Sequence, residues 1–121
     1  MKWSTTSKLV LLLSLSASLT LPAGAAALYV EKAIVKTSSE KSCLSFAGDV
    51  ARKLGLQNLH ANNLEVAGEK SGAYVSTTCI ARGGQPAMAV VSSVSDSFDA
   101  AQQLGHAFAT NIKGITCFEG C

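Results

Sequence analysis

The chain has 121 residues, four cysteines, ten basic and eight acidic side chains, and a formal net charge of +2. Two of the basic residues, Lys2 and Lys8, belong to an N-terminal segment of export character, and without them the balance is eight against eight. A neutral chain with no basic cluster excludes a nucleic-acid binder that works by neutralising phosphates, and equally a protein held to anionic membrane surfaces.

Residues 1–27 carry the three parts of a secretory signal peptide. They are an acid-free basic start, "MKWSTTSK", a thirteen-residue apolar run from Leu9 to Leu21, and the small-residue stretch "PAGAAA". The apolar run falls short of the ~20 residues that span a bilayer. Ala25 and Ala27 suit cleavage after Ala27, with cleavage after Ala25 as the alternative. The first leaves residues 28–121 as a single small domain, periplasmic or secreted, with no membrane association in the mature form. A domain of this size buries roughly 60–70% of its unfolded surface. Exported domains commonly add disulfides to so thin a margin.

From Leu28, "LYVEKAIVK" alternates enough to predict a first strand, with Leu28, Val30 and Ile34 on one face and Lys32 interrupting it. "TSSEKSCLSFAGDVARKLGL" predicts a helix. Thr37 and Glu40 have capping-box spacing, and Ser39 and Ser42 are alternative caps. Cys43, Phe46, Ala47, Val50 and Leu54 share a stripe, Gly55 fits the position just past the helix, and Leu56 can fold back there. The period then changes. "GEKSG" (68–72) and "RGGQP" (82–86) separate three runs that read as a three-stranded antiparallel meander. Ala73, Val75, Thr77, Cys79 and Ala81 face one way on the middle strand, and Tyr74, Ser76, Thr78 and Ile80 the other. A last helix follows, capped by Ser95, Asp96 or Ser97, with Asp99 in its first turn. Its stripe is Phe98, Ala101, Leu104, Phe108 and Ile112, and Gly114 ends it. Strand, helix, three strands and helix make an α+β two-layer sandwich.

An even number of cysteines behind an export signal predicts two disulfides among Cys43, Cys79, Cys117 and Cys121. Cys43 on the helix stripe and Cys79 on the Val75 face favour pairing with each other, leaving Cys117 and Cys121 to close the terminal "CFEGC". The rival connectivity clamps the tail onto Cys43 or Cys79. Cys117 and Cys121 as a thiol-redox pair lack the spacing and the helix start that lower a thiol pKa, and Glu119 between them raises it. A copper-type metal site from the same pair needs a histidine, and the chain offers His60 and His106.

No Gly-x-Ser-x-Gly, no paired metal-ligand histidines and no phosphate loop occur. No cofactor and no catalytic residue are expected. The segments "CLSFAGDVARKLGL", "STTCIARGGQPAMAVV" and "SFDAAQQLGHAFATNIKG" behind a signal peptide resemble small exported bacterial proteins of unknown function. That resemblance implies the fold class and an envelope location, with no site residues to carry over. The sequence therefore predicts a non-enzymatic binding or interaction module with a protein partner engaged through a sheet edge or exposed sheet face. The alternatives are a periplasmic metal or thiol-redox handler and an inhibitor of an exported enzyme.

Overall fold

The computed structural model describes residues 26–117, and the terminal loop predicted between Cys117 and Cys121 reaches outside them. The chain runs β1 (Ala27–Ile34), α1 (Glu40–Lys53), β2 (Gln57–Ala61), β3 (Glu65–Lys70), β4 (Ala73–Arg82), β5 (Gln85–Ser95) and α2 (Phe98–Gly114). The strands form one antiparallel sheet in the order β1-β5-β4-β3-β2. Both helices pack on the same face, so the expected α+β two-layer arrangement is the one observed.

Local chemistry accounts for the helix ends. Ser39 is the N-cap of α1, its hydroxyl accepting from the Ser42 amide at 3.1 Å, while the Thr37 hydroxyl accepts from the Ser39 amide at 3.1 Å. At the other end the Leu56 amide donates to Ala51 and the Gly55 amide to Arg52, which satisfies two orphan carbonyls in a Schellman motif. Gly55 sits at φ +71°, where a side chain is strained, and Leu56 folds back into the core. Ser97 caps α2.

The meander has one strand more than the sequence suggested. Asn62 Oδ1 accepts from the amides of Leu64 and Glu65, an Asx turn that splits the first run into β2 and β3. His60 therefore lies in β2, opposite Ala67. Ser71–Gly72 and Gly83–Gly84 form the two tight hairpin turns, each pair at positive φ as the twist of a two-residue hairpin requires.

The interior is built mainly from small side chains. Ala47 and Ala51 of α1, Ala109 of α2 and Ala73, Ala87 and Ala89 of the sheet are all buried. Phe46, Val50, Val75, Val91, Phe108 and Ile112 supply most of the bulk. Phe98, predicted on the buried stripe of α2, is instead half exposed at the helix start, its ring edge-on to Tyr29 at 6.2 Å. Cys43 and Cys79 are bonded, with Cα atoms 6.1 Å apart, so α1 is stitched to β4 through the core. Closing 36 residues this way is worth about 3.8 kcal/mol on the chain-entropy estimate.

Candidate functional site

The sheet has a second face that no helix covers. Its side chains fall into cross-strand rows fixed by the register. One row is Leu28, Val94, Tyr74 and Glu69, and the next is Val30, Ser92, Ser76 and Ala67. The third is Lys32, Val90, Thr78 and Glu65, and the fourth is Ile34, Met88 and Ile80. Leu28 is 60% exposed, and Val30, Ile34, Tyr74, Ile80 and Val94 are each between 39% and 50% exposed. The apolar alternation of β1 thus points away from the helices. Tyr29, Glu31 and Ala33 face inward, and Gly105 of α2 lies so close to Tyr29 that a Cβ there would stand 2.6 Å from the ring.

The chemistry along this face is graded. On the β1–β5–β4 side it is aliphatic with one aromatic ring, crossed by the hydroxyls of Ser76, Thr78 and Ser92. Acidic groups lie on β3, where Glu65 accepts from the Ser76 hydroxyl and Glu69 from the Asn58 amide. Lys32 is the basic residue, at the opposite edge. Contiguous exposed apolar side chains rimmed by charge are the ordinary mark of a protein-binding surface.

A second constellation sits at the seam of β1 and α2. The Tyr29 hydroxyl donates to Glu31 Oε2 at 2.7 Å, His106 Nδ1 lies 3.0 Å from the same oxygen, and Lys113 Nζ stands 3.6 Å from Oε1. Burial by itself raises the Glu31 pKa. The hydrogen bonds from Tyr29 and His106, with the charges of His106 and Lys113, outweigh it and hold the carboxyl below the usual carboxylate range. The hydrogen bond to Glu31 pushes the Tyr29 phenol up, helped by burial and by repulsion from the carboxylate. These groups span 75 residues of sequence between Glu31 and His106, and nothing in the local pattern joins them. The cavity between the helices, about 210 Å³, is lined by Leu54, Lys70, Ala100 and Leu104 among others. The cluster fastens α2 to the edge strand.

Of the four cysteines predicted to be oxidised, Cys43 and Cys79 form the favoured bond. The expected Cys117–Cys121 pairing involves Cys121, which lies outside the described residues; no described cysteine is a free thiol. Among the described residues no three metal-ligating side chains cluster. His106 faces the Glu31 carboxylate without a third ligand beside them, and His60 Nε2 lies 3.0 Å from the Asn62 amide. Among the described residues no helix is long and apolar enough to cross a membrane. Comparison with protein-family models, with curated proteins and with solved structures finds no match.

Proposed function

We propose that this chain is an exported, non-enzymatic binding module that engages a protein partner through the open face of its sheet. One observation carries the reading: Leu28, Val30, Ile34, Tyr74, Ile80 and Val94 stay exposed on one contiguous face while both helices pack on the opposite face. Export is favoured by the N-terminal segment and suits the Cys43–Cys79 bond, which persists in oxidising compartments. Ala27 pairs with Ser95 inside β1, so processing after Ala25 keeps the strand whole, and it is preferred here to processing after Ala27.

Radical footprinting tests the reading. Met88 and Tyr74 lie on the face and label readily when accessible. Labelling in the native compartment is expected to be several-fold weaker than in dilute purified protein. Equal labelling in the two states removes the partner-binding role.

A further inference from the structure

We propose that the open face binds the same face of a second copy, forming a two-fold sandwich of sheets; this rests on the open-face reading and names its partner. The register carries the argument. Lys32 on β1 and Glu65 on β3 lie in one cross-strand row, connected through Val90 and Thr78. They are three strand spacings apart, roughly 14 Å, too far to pair within one copy. Among the described residues Lys32 joins no salt bridge, and Glu65 has one oxygen engaged by Ser76.

A two-fold axis along the strands, between β4 and β5, reverses the order of strands and keeps the rows. It lays β1 over β3 of the second copy and β5 over β4. Lys32 then stands over Glu65 of the other chain, twice by symmetry. The same operation sets Tyr74 over Val94 and Ile80 over Met88, apolar on apolar. Ser76 meets Ser92, so hydroxyl faces hydroxyl. The operation also sets Thr78 over Val90 and, in the outermost row, Leu28 over Glu69, so the complementarity an isologous interface demands lies in the central rows. An axis across the strands loses this match, because it sets Lys32 over Val30 and Glu65 over Ala67.

The size is sufficient. Four strands by about seven residues give roughly 500 Å² of projected face on each copy. Two copies together reach the ~1,000 Å² that separates specific interfaces from casual contacts. Aligned sheets pack at about −30°, which the length of a lysine side chain accommodates at the rim.

Sedimentation equilibrium on the processed protein gives the test, with folding of every variant checked by circular dichroism and retention of the disulfide. The wild type is expected to dimerise. Lys32→Glu and Glu65→Lys each turn both symmetric pairs into like-charge contacts and are expected to weaken the dimer at least ~10-fold. The double variant Lys32→Glu/Glu65→Lys restores it, a rescue that groups so far apart in one copy cannot produce. Val94→Asp, at an exposed position, abolishes dimerisation whatever the charges do. A wild type monomeric at its highest soluble concentration overturns the proposal, as does a dimer indifferent to these substitutions or one the charge swap fails to restore. The footprint separates this failure from the broader one. A monomer whose Met88 and Tyr74 are protected in the native compartment has a different partner on the same face. A monomer unprotected there has no binding face at all.

Discussion

Replacing Gly105 with alanine places a methyl group 2.6 Å from Tyr29 Cδ1 and 3.2 Å from the Ser93 Cβ. In an ordinary helix interior the same change stabilises by about 1 kcal/mol, because glycine is a poor helix former. Here the ring cannot swing aside at low cost. Its hydroxyl is held by Glu31, its edge meets Phe98, and the sheet at Ser93 stands opposite. Overpacking of this severity costs about 3 kcal/mol, so the net expectation is a loss of about 2 kcal/mol. For a domain of this size that is a fall in Tm of roughly 8–16 °C. Gly48, in the middle of α1, is the internal control. A Cβ there meets only the Arg52 guanidinium, at 3.5 Å, an ordinary contact at the end of a flexible chain. Gly48→Ala is expected to raise Tm by about 4–8 °C. Thermal unfolding of the two single variants thus gives opposite signs. In a Tyr29→Ala background Gly105→Ala becomes stabilising. If Gly105→Ala raises Tm alongside Gly48→Ala in the otherwise unchanged protein, the close contact between α2 and β1 is not what sets that residue.

Other expectations follow from the same interior and seam. Replacing Cys43 and Cys79 together with alanine removes up to about 3.8 kcal/mol, read as a shift in the urea midpoint; an unchanged midpoint shows the bond to be energetically idle. Glu31 has a lowered pKa in the folded state, so its stabilising contribution is present above the ordinary carboxylate range and lost as pH falls through the folded value. Glu31→Gln should therefore destabilise at neutral pH, with the gap to wild type closing in acid, and a gap that widens on acidification contradicts the assignment. Tyr29, raised in the folded state, adds a loss of stability as pH climbs past the ordinary phenol range, which Tyr29→Phe removes. Thr77 is fully buried and its hydroxyl has no hydrogen-bond partner among the described residues, so Thr77→Val is expected to stabilise by about 1 kcal/mol in chemical denaturation; a loss means the hydroxyl is satisfied after all.

Much of the fold is written locally. Ser39, Gly55 and Leu56 specify both ends of α1 through contacts within a few residues, and the pair Gly83–Gly84 specifies its hairpin through backbone conformation alone. The Cys43–Cys79 bond is legible because helix and strand periodicity each assign one partner to the inner face. β2 escapes such reading for a physical reason. All five of its residues are exposed, so QNLHA has no apolar alternation, and only the Asn62 turn marks where it ends. The orientation of β1 is hidden differently: both of its faces carry apolar groups, and which one meets α2 is decided by the space above Gly105. The seam joining Tyr29, Glu31, His106 and Lys113 depends on chain-distant packing, which no spacing rule encodes.

The alanines of the interior have a consequence for how such a chain can drift over generations. A buried alanine between a helix and a sheet has almost no neighbouring volume to trade, so an enlargement at Ala47, Ala89 or Ala109 displaces a whole helix instead of a side chain. On the same strands, one residue along, Tyr74, Thr78, Ile80 and Val94 project into open solvent and can be exchanged without disturbing that spacing. β4 and β5 thus alternate between letters that are nearly frozen and letters under no packing constraint. Lineages sharing this architecture would keep the inner set while rewriting the outer one, so the open face can diversify while the scaffold beneath it stays still.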